Sequence, residues 1–308
     1  MRILVTGTSG FVAGHLLPGL EAAGHEVFAL LRRDAAVPAS APARLPRLGP
    51  DEPWPDGLDA VLHLAALNPS RGGPGADAAS LDRANAADTA ALAERAVLHG
   101  VPRFVFLSTA NVHATGDAVT EGSPLAPQSP YAASKLKGET ALGEIAARTR
   151  LAVTILRPVP VYGPGGRGTT ALLLKLAASP LPLPLHGFGA PRSLLSVQAL
   201  AAAILRAIDP QAPAGTFLLA DAAPVTPAQI VAAARAGRSR TPGLLPAPSG
   251  LLRWAARLSG RDRALATLTA PFAVDPSAAA RALGWRPEPD TPGRLADLAR
   301  GTPARPAR

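Results

Sequence analysis

The first fifteen residues constrain this chain more than any other stretch. Ile3, Leu4 and Val5 form a short apolar run. Thr6-Gly7-Thr8-Ser9-Gly10-Phe11 follows at once, then Val12-Ala13-Gly14-His15-Leu16-Leu17. That order predicts a buried parallel strand, a glycine turn and the first turns of a helix. Gly7 permits the tight turn, Gly10 lets the backbone approach a pyrophosphate, and a small residue at position 13 lets the helix pack on the strand. The unpaired N–H groups and the positive end of the helix dipole then face the phosphates. A dinucleotide site is the expectation, and with it a doubly wound α/β sheet.

Patterns along the chain agree. Leu16 to Ala23 completes the helix and Gly24 ends it. Val27 to Leu31 reads as a second strand, followed by Arg32-Arg33. An acid at that strand end would bond the ribose 2′-hydroxyl of NAD, whereas two arginines suit a 2′-phosphate, hence NADP. Asp34 keeps NAD open. A shortened third strand is expected near Arg44–Leu48. Asp59 to Leu64 is a buried strand, with His63 read as a core histidine bonded to backbone. Asn68 to Ala78, with three glycines, reads as a mobile loop. A helix is expected from about Leu81 to Leu98, with Asn85 on it, then a strand Phe104 to Leu107 closing in Ser108-Thr109. Asn111 to Pro130 reads as a long loop, Tyr131 to Arg148 as a helix, and Val153 to Leu156 as a strand. Alternating β and α patterns imply a Rossmann-type parallel sheet with a smaller C-terminal substrate lobe. We expect a dinucleotide-binding domain over 1–160 and a lobe over 161–308. About 191–222 returns to the core, and 301–308 forms a disordered tail.

Composition excludes several classes. There is no cysteine, so disulfides and thiolate metal sites are out, which fits a reducing cytoplasm. No metal site is expected. No signal peptide or membrane span is expected, so a cytoplasmic chain is the reading. The net charge is +9, but only three of 31 basic residues are lysines, and the arginines are scattered. That pattern reads as compositional bias, not as a nucleic-acid surface.

Tyr131-Ala132-Ala133-Ser134-Lys135 carries the chemistry. Residues four apart share a helix face. A tyrosine of ordinary pKa about 10 is no base near neutrality, but a nearby ammonium and a cationic nicotinamide favour its phenolate. Thr109, at the end of the preceding strand, places a hydroxyl where a substrate oxygen would lie. Tyr131 is then the general acid/base, Lys135 tunes it and holds the ribose, and Thr109 positions the oxygen.

These stretches resemble the extended short-chain dehydrogenase/reductase family, in its NAD-dependent epimerase/dehydratase branch. The resemblance is carried by Thr6-Gly7-x-x-Gly10-Phe11, Asp59-x-Val61-x-His63-Leu64-Ala65-Ala66, Asn85, Ser108-Thr109 and Tyr131-x-x-x-Lys135. Further along it continues in Arg157-Pro158, Val161-Tyr162-Gly163-Pro164-Gly165 and Leu283-Gly284-Trp285-x-Pro287. It implies cofactor contacts from Gly7, Ser9, Gly10, Phe11, Val12, Leu64, Ala65, Ala66, Asn85, Ser108, Pro158 and Val161, with Tyr131 and Lys135 at the nicotinamide ribose. Substrate contacts are implied for Asn111, His113 and Arg192. Ala13 in place of a third glycine, with Arg32 and Arg33, is similar to NADP-using reductases.

Ala110-Asn111 stands where dehydratases carry Asp-Glu, which argues against dehydration. Pro160 and Ser196-Val197-Gln198-Ala199 also depart from the family pattern. The run Leu181-Pro182-Leu183-Pro184 to Arg192-Ser193-Leu194 resembles bacterial UDP-sugar 4-epimerases and UDP-hexulose 4-reductases. The implied activity is hydride transfer at a sugar C4 on a UDP-sugar, with NADP, or NAD, as cofactor. A reductase of a non-sugar ketone or aldehyde is a second reading, and a non-enzymatic dinucleotide sensor a third. Relatives often dimerise through the helices carrying Tyr131 and Asn85, so a homodimer is the implied assembly.

Overall fold

The computed structural model describes residues 1–30, 47–48, 53–68, 77–127, 129–186, 189–246 and 270–301. Arg32, Arg33, most of the glycine-rich stretch after Asn68 and the tail beyond Gly301 lie outside the described residues. In chain order the first elements are β1 (Arg2–Thr6), α1 (Phe11–Ala22), β2 (Glu26–Leu30), β3 (Arg47–Leu48) and β4 (Ala60–His63). Next come α2 (Ala78–Asp82), a π-helical turn (Arg83–Ala87), α3 (Asp88–Leu98), β5 (Arg103–Leu107), β6 (Gly116–Val119), α4 (Pro130–Arg148) and β7 (Ala152–Pro158). They are followed by β8 (Val161–Tyr162), α5 (Thr169–Ala178), β9 (Leu183–His186), β10 (Leu195–Ser196), α6 (Val197–Ala207), β11 (Gly215–Leu219) and α7 (Pro227–Ala236). Helices Ser277–Leu283 and Thr291–Ala299 lie near the C-terminus.

Seven parallel strands form one sheet in the order β11-β7-β5-β4-β1-β2-β3. The order reverses between β1 and β4, so the crevice outside their C-terminal ends is where this architecture binds ligands. Side chains alternate between two cores as the pleat requires. Ile3, Val5, Leu62 and Val105 face a cluster with α1 and α6, through Leu16, Leu20, Leu200 and Ile204. Leu4, Val61, Phe104 and Phe106 face the opposite cluster with α3 and α4, through Ala93, Ala96, Leu142 and Ile145. Both faces are covered, so the strands read as continuous apolar runs.

A third cluster, with Leu173, Leu194, Val225, Ile230 and Leu295, forms the core of the lobe. It is tied to the sheet by Asp221, which follows β11. Asp221 accepts from Tyr162 (2.8 Å) and Thr291 (3.0 Å) and from the Ser196 backbone (3.0 Å). Burial pushes the Asp221 carboxyl up to about 6, against the pull of those three donors, and pushes the Tyr162 phenol up as well.

Three expectations are corrected. The helix carrying Asn85 is not one regular helix: it begins at Ala78, capped by Asp77, and widens into the π turn at Arg83–Ala87. The Asn85 side chain lies within that turn and bonds outside the helix, to the Leu67 backbone and to Ser134; such turns are frequent at functional sites. The stretch from Asn111 to Pro130 is not all loop, since it holds a 3-10 turn (Ala110–Val112) and β6, which pairs with Phe272–Val274. His63 is a buried core residue, but its partners are hydroxyls: Nδ1 lies 2.6 Å from Thr6 Oγ1 and Nε2 3.0 Å from Thr89 Oγ1. Burial first, and the Lys135 charge second, drive its imidazole down to about 3, so it is neutral.

Candidate active site

A cleft of about 720 Å³ opens at the C-terminal ends of β1, β4, β5 and β7 and runs under the lobe. On the sheet side its walls include Ser9, Gly10, Phe11, Val12, Leu64, Ala66, Ser108, Thr109, Asn111, Tyr131, Pro158 and Val161. These are the residues named from sequence. Gly7 sits just behind them at φ +71°. A Cβ there would stand 2.6 Å from the Ala65 backbone nitrogen, so only glycine lets β1 turn beside β4. Ala65 is thus the neighbour of Gly7 and does not line the cleft; its N–H donates to Thr6 Oγ1 at 3.2 Å. Gly10 caps α1 with no side-chain bond, which leaves the first N–H groups of that helix for an anion.

Thr109 caps the following 3-10 turn, its Oγ1 accepting from the Asn111 N–H at 3.2 Å. Ser129 caps α4, and Pro130 starts it, so Tyr131 stands in the first turn, where it reaches the cleft. Lys135, one turn on, is fully buried. Its Nζ lies 3.8 Å from the Phe106 ring centroid and has no hydrogen-bond partner among the described residues. Burial drives the ammonium down to about 7, with Glu139 opposing. A buried ammonium without a partner is costly unless something pairs with it. The hydroxyls of a dinucleotide ribose are groups of that kind. Together with the uncapped start of α1, Lys135 makes the residues present fit a nicotinamide dinucleotide.

Two sequence-named residues lie elsewhere. Asn85 is fully buried and is not part of the cleft wall. It accepts from the Leu67 N–H (2.8 Å) and donates to the Leu67 carbonyl (3.0 Å) and to Ser134 Oγ (2.9 Å). It therefore ties the segment after β4 to α4, and meets the cleft only through them. His113 is also turned inward, 2% exposed. Its Nδ1 meets the Ser123 carbonyl at 3.0 Å and its Nε2 the Arg157 guanidinium at 2.9 Å, so both ring nitrogens are engaged within the protein. Arg192 does line the cleft from the lobe side. One guanidinium N–H donates to the Ala270 carbonyl at 2.7 Å, and the group stands 5.5 Å from the Phe272 ring centroid.

Sequence reading missed the lobe-side wall, which includes Arg167, Thr169, Thr170, Leu173, Val225 and Ile230. It also missed the buried pair Arg157–Glu139, 2.5 Å between Nη2 and Oε2. A signal existed for the latter. Glu139 follows Lys135 by four residues and Tyr131 by eight, on one face of α4.

A glycine turn at the switch point, beside a Tyr–Lys helix and a Ser–Thr strand end, defines an NAD-dependent enzyme on a Rossmann-type fold, of the short-chain dehydrogenase/reductase kind. The chain belongs to the NAD dependent epimerase/dehydratase family, whose model matches residues 3–219. It is 31% identical over 309 residues to a UDP-glucose 4-epimerase of Vibrio cholerae, covering 92% of this chain and 90% of that one. It is 32% identical over 308 residues to a 3-diazoavenalumate denitrifying reductase of a Streptomyces species, covering 93% and 96%. The UDP-glucuronic acid 4-epimerase of Bacillus cereus, solved with NAD, shares the fold at a TM-score of 0.73 and 21% identity, over 97% of this chain and 96% of that one. Among the described residues, no helix is long and apolar enough to cross a membrane.

Proposed function

We propose that this protein transfers a hydride at C4 of a nucleotide sugar, a UDP-sugar above all, as a 4-epimerase or as a reductase of the 4-keto sugar. The observation that carries the reading is the grouping of Thr109 and Tyr131 on the cleft wall with the unpartnered Lys135 behind them. Identity to the Vibrio cholerae epimerase over nearly the whole chain supports it. When bound, a nicotinamide dinucleotide would accept the C4 hydride and return it in an epimerase, or donate it once in a reductase. The protein does the rest. Tyr131 exchanges a proton with the C4 oxygen, and Thr109 donates a hydrogen bond to that oxygen. Lys135, charged once the ribose hydroxyls pair with it, favours the phenolate form of Tyr131. On this reading Ser9 to Val12 hold the pyrophosphate at the start of α1, and Asn111 and Arg192 meet the substrate.

Tyr131→Phe is expected to lower turnover of UDP-glucose and its C4 epimer about a hundred- to ten-thousand-fold while dinucleotide binding persists. A variant that turns over like the wild type defeats the mechanism. NADP preference rests on Arg32, Arg33 and Ala13, and competitive titration with NAD and NADP decides it.

One observation favours a second reading, the reduction of a non-sugar ketone or aldehyde. The lobe-side wall is apolar at Leu173, Leu194, Val225 and Ile230. Comparable identity to the Streptomyces reductase is in line with it. Thermal shifts with UDP and UDP-sugars in the presence of dinucleotide discriminate: none at all moves the assignment to this reading.

A further inference from the structure

Ser108 and Thr109 are consecutive hydroxyl residues on the cleft wall, 4% and 7% exposed. The mechanism above uses Thr109 and leaves Ser108 idle. The two hydroxyls are held differently. The Ser108 hydroxyl donates to Glu139 Oε1 in a short contact. Glu139 is held by Arg157, whose Nε lies 3.1 Å from both carboxylate oxygens and whose Nη2 lies 2.5 Å from Oε2. Arg157 Nη1 donates in turn to His113 Nε2 at 2.9 Å. That places the His113 ring proton on Nδ1, which donates to the Ser123 carbonyl at 3.0 Å. Burial, and next the Arg157 charge, hold His113 below its ordinary range, in keeping with a neutral acceptor ring. Each group fixes the direction of the next. At the end of the chain the Ser108 proton points away from the cleft, and only its lone pairs remain for a ligand. Thr109 Oγ1 already accepts from the Asn111 N–H, so its proton is the one given to the cleft.

We infer that Glu139 is a positioning residue that makes Ser108 an obligate acceptor beside the donor Thr109. The two hydroxyls then select a ligand face that carries an O–H or N–H donor next to the oxygen of the reacting carbon. The inference rests on the assignment of Thr109 and Tyr131 above. Two groups have the required donor: a hydroxyl vicinal to the reacting carbon, or the carboxamide of the dinucleotide. A simple ketone has none.

The test uses Glu139→Gln, Ser108→Ala and the double variant, with dinucleotide Kd and substrate KM and kcat measured for each. In Glu139→Gln the amide oxygen stays with the Arg157 guanidinium and the amide nitrogen faces Ser108, so the Ser108 proton turns into the cleft. If the donor is on the substrate, KM rises about tenfold in both single variants, with Kd and kcat within about twofold. If it is the carboxamide, Kd weakens about tenfold instead. In either case Glu139→Gln adds little in the Ser108→Ala background, because it acts through Ser108. Unchanged KM and Kd in Ser108→Ala overturn the inference. So does a Glu139→Gln effect of equal size in both backgrounds, which marks a merely structural role. Should Glu139→Gln not fold, Ser108→Ala alone decides by the same criterion. Failure of the hydride-transfer reading shows separately, as full turnover by Tyr131→Phe, while the Kd arm is read without turnover.

Discussion

The sheet-side wall of the cleft includes backbone and small residues at element ends: Gly10 at the uncapped start of α1, Ala66 after β4, Ser108 and Thr109 after β5. The lobe-side wall, beside the polar Arg167, Thr169, Thr170 and Arg192, includes bulky apolar side chains from separate segments: Leu173 on α5, Leu194 before β10, Val225 before α7 and Ile230 on it. The first wall is fixed by the geometry of strand ends, which tolerates few alternatives. The second is the face of a packed core, where volume and apolarity matter and residue identity matters less. On the proposed function, the first wall would recognise the common cofactor and the second would set the substrate.

Mutation should expose that difference. Gly7→Ala places a side chain at a positive φ and against Ala65, and is expected to cost about 1–3 kcal/mol of stability and to abolish dinucleotide binding; chemical denaturation and titration check both. Lys135→Met replaces an unpartnered ammonium with an apolar chain of similar length. The free protein should then be at least as stable, while dinucleotide binding weakens about ten- to a hundredfold. A less stable variant with unchanged affinity contradicts the assigned role.

The same lysine predicts a pH dependence. Burial lowers its folded-state value to about 7, well below that of the unfolded chain. Between those values the unfolded chain binds the extra proton, so the contribution of this group to stability rises with pH from about 7 upward. Dinucleotide binding works the other way. It restores the ammonium and takes up a proton, so affinity should fall by up to about tenfold per pH unit above 7. Calorimetry in buffers of different ionisation enthalpy reads the proton directly, and Lys135→Met should flatten the profile. The smallest effect belongs to the lobe: Ile230→Ala should raise substrate KM a few-fold and leave dinucleotide Kd unchanged. An equal change in both constants would erase the distinction between the two walls.

The sheet-side wall was largely legible in the sequence, for the reason that makes it rigid. A strand end followed by glycines or small residues has few structural meanings, and Tyr131 and Lys135 share a helix face by spacing alone. What was not legible depends on which way a side chain turns. His113 sits at the right place in the chain, yet its ring is drawn inward by Arg157. Asn85 lies on the expected helix, yet a π turn aims it at Leu67 and Ser134. The lobe wall was hidden for another reason: Val225 and Ile230 look like any core residues until the fold sets them beside Leu173 and Leu194.

The central claim is that the reacting carbon exchanges a hydride and not a proton, and isotope labelling tests it most directly. The protein, supplied with dinucleotide and a UDP-hexose carrying deuterium at C4, should convert it with the deuterium kept on C4 or moved to the nicotinamide, and none released to water. Deuterium appearing in the solvent would show proton abstraction from carbon, and would contradict the roles of Tyr131 as acid/base, Lys135 as its tuning cation and Thr109 as donor to the C4 oxygen.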